Sequence, residues 1–206
     1  MTLKPAFAVA LLALFAAACQ PEKAATNGAL VAEAPGGEGA KPAPEIKSFV
    51  KGDFDKLDQA NKGLPLPPSP FVDEAGAPHT FAEYKGKVVV YNIWAEWCGP
   101  CVEEMPTLVK LQQAFTGKDV VVIPVAAGYA EARESAHKKF LQLTGGALPF
   151  YYDEHFDVNA DAKSGAFPAT VIYDKQGKEV VRLEYPAKWD SPEAIALVQA
   201  VLDGST

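Results

Sequence analysis

Positive charge is scarce in this chain. Lys and Arg number 19 against 26 Asp and Glu, a formal net charge of −7. That balance argues against nucleic acid or an anionic membrane surface as a partner. Histidine is scarcer. His79, His137 and His155 are scattered with no ligand-like spacing, and each reads as an exposed or hydrogen-bonded residue. Cysteine occurs three times. A structural zinc wants four ligands, and no second Cys or Cys/His pair exists to complete one, so no metal is expected. Long apolar runs are missing too. The N-terminal run, Ala6 to Ala18, falls short of the roughly 20 residues of a comfortable transmembrane helix. No internal repeat is visible. What is present is ordinary globular material: 206 residues, 49% hydrophobic and 22% charged, enough for one domain with a real core.

The run Ala6 to Ala18 follows a lysine and ends in small residues, "AAAC", closing on Cys19. It has the length of a signal-peptide core. A cysteine directly after small residues resembles the lipobox of bacterial lipoproteins, which implies a signal peptide over 1–18 and Cys19 as the lipid-modified first residue. A plain cleaved signal and an uncleaved anchor remain open. All three export the chain to an oxidising compartment. Residues 20–45 are rich in Ala, Pro, Gly, Glu and Lys and cannot bury enough surface to order themselves. They read as a tether, with an end-to-end distance of roughly 25–30 Å.

Residues 46–69 read as a lead-in. Ile46, Phe49, Val50, Phe54 and Leu57 fall near helical spacing, which predicts a short amphipathic helix. "GLPLPPSPF" follows as a proline-set extended segment. The main domain is expected over 70–206. "EAGAPH" marks a hairpin turn between two short strands. "KVVVYNIWA" is a buried strand, near-continuously apolar as parallel-sheet strands are. Gly99 to Phe115 is helix, Asp119 to Ala127 strand, Glu131 to Leu143 helix, and "PFYYD" a short strand. Phe156 to Lys163 allows one or two helical turns. "PATVIYDKQGKEVVRLE" gives two strands around a hairpin turn. Ser191 caps a last helix, Pro192 to Leu202. The βαβ unit implies parallel strands and the hairpin antiparallel ones.

Cys98 and Cys101 stand three apart where the first buried strand gives way to helix. In a first helical turn such residues lie on one side, about 5–6 Å apart, within the roughly 4.4–6.8 Å that a disulfide needs between Cα atoms. At the helix start the Cys98 thiolate meets free backbone N–H groups and the positive end of the helix dipole. That lowers its pKa and makes it the nucleophile; Cys101 becomes the resolving thiol. A structural disulfide is the rival, but so short a loop constrains little chain entropy. Glu104 lies on the stripe that runs from Cys101 to Leu108, Leu111 and Phe115. Buried there, its carboxyl would have a raised pKa and could exchange a proton with Cys101. The alternative gives the buried slot to Met105 and leaves Glu104 at the edge. Glu103 reads as a solvated charge. Pro106 should kink the helix rather than end it.

"WAEWCGPC" looks like thioredoxin, and Pro106 matches that family's helix kink. "VVVYNIWAEWCGPCVEEMPTL" is similar to the TlpA/ResA/CcmG group of membrane-tethered periplasmic thioredoxin-like proteins. Thioredoxin's buried aspartate falls on Asn92, and the group's working glutamate on Glu104. "GAFPATVIYDKQGKEV" resembles the segment that carries the family's cis-proline, here Pro168 with Phe167 before it. "YPAKWDSPEAIALV" is nearest TlpA. The resemblance spans about Pro70 to Leu202. It implies a thioredoxin-like α/β fold: a central mixed sheet flanked by helices, with an N-terminal β-hairpin extension. It implies a periplasmic thiol–disulfide oxidoreductase acting as a monomeric reductant. No cofactor is expected beyond the Cys98–Cys101 disulfide, and Trp97, Pro100, Phe167 and Pro168 would face the substrate. Partners would be protein disulfides, among them copper-handling proteins of cytochrome oxidase assembly, and a membrane thiol transporter as electron donor. Ala169 stands where CcmG-like proteins carry glutamate, against a dedicated role in cytochrome c maturation. Ala95 replaces the threonine of a peroxiredoxin, and CxxC is not the CxxxC of a Sco-type copper chaperone. Two alternatives stay open: reduction of apocytochrome c, and a Cu(I) chaperone using the two thiolates.

Overall fold

The computed structural model describes residues 44–205. The expected signal peptide, Cys19 and nearly all of the tether lie outside the described residues.

Strands β1 (Phe71–Val72) and β2 (Pro78–His79) form the expected hairpin. β3 (Val88–Trp94), α1 (Gly99–Ala114) and β4 (Val120–Ala127) follow, then α2 (Arg133–Thr144), β5 (Tyr151–Asp153) and α3 (Asp157–Asp161). The chain closes with β6 (Ala169–Tyr173), β7 (Glu179–Leu183) and α4 (Pro192–Leu202). One sheet takes the order β2-β1-β5-β4-β3-β6-β7. β3, β4 and β5 are parallel; β6, β7 and the β1–β2 extension are antiparallel. This is the mixed sheet with hairpin extension that the sequence leads one to expect.

Both faces of the centre are covered, so β3 is buried at every residue and reads as a continuous apolar run. Val88, Val90 and Trp94 face a core built with α1, α2 and α4. Val89, Tyr91 and Ile93 face a second core with Val158 of α3. The period of two therefore places Asn92, between Val90 and Trp94, on the α1 side. The helix ends follow local chemistry. Ser191 Oγ accepts the Ala194 N–H at 3.1 Å, and α2 stops at Gly145 with φ of +61°, a left-handed cap that glycine takes without strain. α1 runs through Pro106. His79 is hydrogen-bonded, lying 2.9 Å from Glu83 and 3.4 Å from Asp73.

The lead-in differs from expectation. Residues 46–57 do not form one helix but two single 3-10 turns, Ile46–Phe49 and Gly52–Phe54. Gly52 with φ of +57° breaks the run between them. Nor is the lead-in separate from the domain that was expected to begin at residue 70. Ile46, Phe49 and Phe54 are buried in the α1/α4 core, and Phe54 packs edge-on against Trp189 with ring centroids 5.4 Å apart. Asp58 and Arg182 exchange backbone hydrogen bonds at 2.9 Å, and Glu179 donates to the Leu64 carbonyl at 2.8 Å. Residues 58–65 thus cover the outer edge of β7, which would otherwise present unpaired backbone groups. Phe54→Ala should cost about 3 kcal/mol, the scale of emptying a packed aromatic site. Chemical denaturation of the two proteins measures it. A loss under 1 kcal/mol would show that the lead-in only rests on the surface.

Candidate active site

Four residues beyond the end of β3, Cys98 takes the N-cap of α1 with extended backbone, φ −86° and ψ 103°. Pro100 sits in the first turn, where its missing N–H would have had no helical partner. The Cys98 sulfur accepts the Cys101 N–H at 3.3 Å. The two cysteines are joined by a disulfide, with Cα atoms 5.3 Å apart. Their burial differs: Cys98 keeps 6% exposure and Cys101 none. Only the first sulfur is open to attack or to be attacked. Gly99 and Pro100 beside it are exposed.

Trp97 is 68% exposed, unusual for a large aromatic. Its ring lies against Phe167 at 5.3 Å between centroids. The Phe167–Pro168 peptide bond is cis. β6 begins at the next residue, where Ala169 pairs with Ile93 near the end of β3. The sheet register therefore puts the Phe167–Pro168 step at the same end of the sheet as the cysteines. The structure brings Trp97 and Phe167 into contact and leaves Pro100 on the exposed helix start.

Glu104 is on the buried stripe, 4% exposed, with Met105 buried beside it; Glu103 is exposed. Burial of both neighbours answers the choice that spacing left open. The Glu104 carboxyl is framed from two directions. Oε1 accepts from Asn92 Nδ2 at 2.9 Å, and Oε2 accepts the Ala187 N–H at 3.1 Å. Burial drives its pKa up to about 7; the bonds from Ala187 and Asn92, with a weaker pull from the nearby Trp189 indole, limit the rise. Asn92 also donates to Thr170 Oγ1 at 3.0 Å. Its own Oδ1 has no partner among the described residues. Turning the amide over would offer that oxygen to a protonated Glu104, so the pair can serve either protonation state. A groove of about 700 Å³, lined by Asp53, Pro100, Glu103, Glu104, Thr107 and Pro186 among others, opens beside the carboxyl.

Thr107 and the loop before α4 complete this frame. Thr107 Oγ1 donates to the Glu104 carbonyl at 2.6 Å and accepts the Trp189 N–H at 3.1 Å. With the Ala187–Glu104 bond it ties the loop before α4 to α1. Thr107 is one turn beyond Glu104, a spacing that could have singled it out; the loop's return across more than eighty residues could not be read locally.

The raised pKa of Glu104 carries a stability consequence. Its ordinary value is 4.5 and its folded value about 7. The folded state therefore holds its proton longer than the unfolded chain. The stabilisation is full below pH 4.5 and is lost as pH rises through about 7, roughly 3 kcal/mol in all. Glu104→Gln should flatten that slope in the oxidised protein and leave it no less stable at pH 8. Denaturant midpoints between pH 4 and 8 measure it; parallel curves for the two proteins would contradict it.

Among the described residues, no helix is long and apolar enough to cross a membrane. A family model described as Redoxin matches residues 40–197. The thioredoxin-like protein YneN of Bacillus subtilis is 34% identical over 103 residues, 50% of this chain and 59% of that protein. The thiol-disulfide oxidoreductase ResA of Geobacillus kaustophilus is 31% identical over 116 residues, 56% of this chain and 65% of the relative. The chain thus spans about 60% of the length of these two relatives. Among solved structures, a thioredoxin family thiol:disulfide interchange protein of Chlorobium tepidum superposes with a TM-score of 0.55 at 22% identity, covering 68% of this chain and 97% of the other. That likeness identifies the fold as thioredoxin-like.

Proposed function

The chain belongs to the Redoxin family, and from that membership we propose that it is a thiol–disulfide oxidoreductase that reduces disulfides of exported proteins. The observation that carries the reading is the asymmetry of the pair. Cys98 is reachable at a helix N-cap beside the Trp97–Phe167 surface, and Cys101 is sealed behind it. The helix start favours the Cys98 thiolate. That thiolate attacks one sulfur of the substrate disulfide and expels the other as a thiolate. Cys101 gives its proton to the Glu104 carboxylate, attacks the Cys98 sulfur and releases the second substrate thiolate. The pair ends as the Cys98–Cys101 disulfide, two electrons poorer, and a dithiol donor restores it. A membrane thiol transporter is the donor that the resemblance supplies.

Export and tethering through a lipidated Cys19 complete the proposal, and the TlpA likeness points to copper-handling proteins of oxidase assembly as substrates. The direct test is turnover. Catalytic amounts of the protein with dithiothreitol should speed reduction of a protein disulfide well above dithiothreitol alone, and Cys98→Ser should return the rate to that background. No acceleration by the intact protein would end the proposal. For Glu104→Gln, turnover should be slower and should lose its dependence on pH around 7, because the base that takes the Cys101 proton is gone. Overlapping pH–rate profiles would remove Glu104 from the mechanism.

A further inference from the structure

Arg182 lies far along the chain from the cysteines and is nearly fully buried, as is its partner Glu179. Its guanidinium binds the Glu179 carboxylate through Nε at 2.7 Å and Nη2 at 2.7 Å, the fork geometry that arginine alone provides. The other donors leave the strand. Nη2 donates to the Ala162 carbonyl at 2.8 Å and Nη1 to the Lys163 carbonyl at 3.2 Å. Those are orphan carbonyls at the end of α3, which no helical N–H can satisfy. Nη1 also reaches Glu184, half-exposed, at 3.4 Å.

The turn that Arg182 grips is a demanding one. α3 spans only Asp157–Asp161, too short to hold itself. Lys163 then takes φ of +53°, a left-handed conformation that costs a non-glycine residue energy unless its surroundings enforce it. Beyond it the backbone runs Ser164, Gly165, Ala166 and Phe167 to the cis bond at Pro168. The far end of that loop is fixed by the β3–β6 register. The near end is held by backbone bonds within the turn, Ala162 N–H to the Val158 carbonyl at 3.0 Å, Lys163 N–H to the Ala160 carbonyl at 3.0 Å and Ser164 N–H to the Asn159 carbonyl at 3.1 Å, and by Tyr91 donating to Asn159 Oδ1 at 2.9 Å. The Arg182 grip is what ties the two turn carbonyls to β7.

We infer that Arg182 is a positioning residue: by pinning the Ala162–Lys163 turn to β7 it sets where Phe167 stands against Trp97 beside Cys98. The inference rests on the exchange activity proposed above and adds a remote determinant of how that site meets a protein substrate. A small disulfide needs only the Cys98 sulfur. A peptide disulfide must also lie on the Trp97–Phe167 surface, so only its reaction depends on the loop.

The test compares two substrates and three proteins. Removing Arg182 alone strands the Glu179 carboxylate, so the informative variant is Glu179→Leu/Arg182→Met, which removes the charges together and keeps the site filled. Against wild type, its kcat/KM for a disulfide-bonded peptide should fall about tenfold, mostly through KM, since displacement of a positioning group by about 1 Å can cost more than that. Its rate with 5,5′-dithiobis(2-nitrobenzoate) should stay within about twofold, and so should its equilibrium with dithiothreitol. Arg182→Lys keeps the charge but not the fork and should lose part of the peptide rate alone; it carries the test if the double variant does not fold. Equal losses on both disulfides, or no loss on either, would overturn the inference while leaving the activity intact. A wild-type protein that reduces neither disulfide overturns the proposed function itself, and this inference with it.

Discussion

Cys101→Ser should accumulate mixed disulfides at Cys98, visible as protein adducts on a non-reducing gel and released by dithiothreitol. The variant keeps the attacking sulfur and removes the one that ends the encounter. The intact pair clears such adducts because Cys101 lies three residues on, with its Cα 5.3 Å from that of Cys98. Serine can donate to the same neighbours but cannot displace a sulfur. Cys98→Ser should do the opposite: no adducts, and exchange slowed on the order of a thousandfold or more, the scale of losing a nucleophile. The remaining thiol, Cys101, is fully buried, so a folded substrate cannot reach it. Adducts in Cys98→Ser and not in Cys101→Ser would reverse the two roles.

The second large effect is on stability. Arg182→Met alone should destabilise the fold by about 4 kcal/mol, because breaking a buried ion pair leaves one charge without compensation. Glu179 has no exposure with which to recover hydration. Restoring neutrality with Glu179→Leu should return most of that loss, since a buried pair often does little better than well-packed apolar residues. Denaturant midpoints at unchanged slope measure both. A single variant as stable as wild type would mean that the lone Glu179 carboxylate reaches water at little cost.

That pair also shows why part of the molecule could not be read from the chain. Residues three apart on a regular strand point to opposite faces. Glu179 and Arg182 meet because β7 carries an irregularity opposite Ile172 and Tyr173: Tyr173 pairs with Glu179 and Ile172 with Val181, leaving Val180 over. No residue type marks that bulge. The broken lead-in is hidden from the chain for a similar reason. Ile46, Phe49 and Phe54 have helical spacing, yet their partners are α4 and Trp189, far along the chain, and Gly52 allows the break. What was legible is local. β3 shows as an apolar run, α4 begins at its Ser191–Pro192 cap, and the cysteines fall at a helix start. Glu104 lies between: its place on the buried stripe is periodicity, whereas its frame of Asn92, Ala187 and Thr107 is tertiary.

The most direct measurement is the redox equilibrium of the pair. The protein is brought to equilibrium with graded mixtures of reduced and oxidised dithiothreitol and, at higher potentials, of reduced and oxidised glutathione, and its free thiols are counted by alkylation and mass. The account predicts one two-electron transition in which Cys98 and Cys101 are reduced together, with a midpoint in the reducing range of thioredoxin, roughly −270 mV. A pair that stays closed across the whole range would be a structural disulfide, and a midpoint near the roughly −120 mV of a strong oxidant would make the protein a disulfide donor; either result contradicts the account.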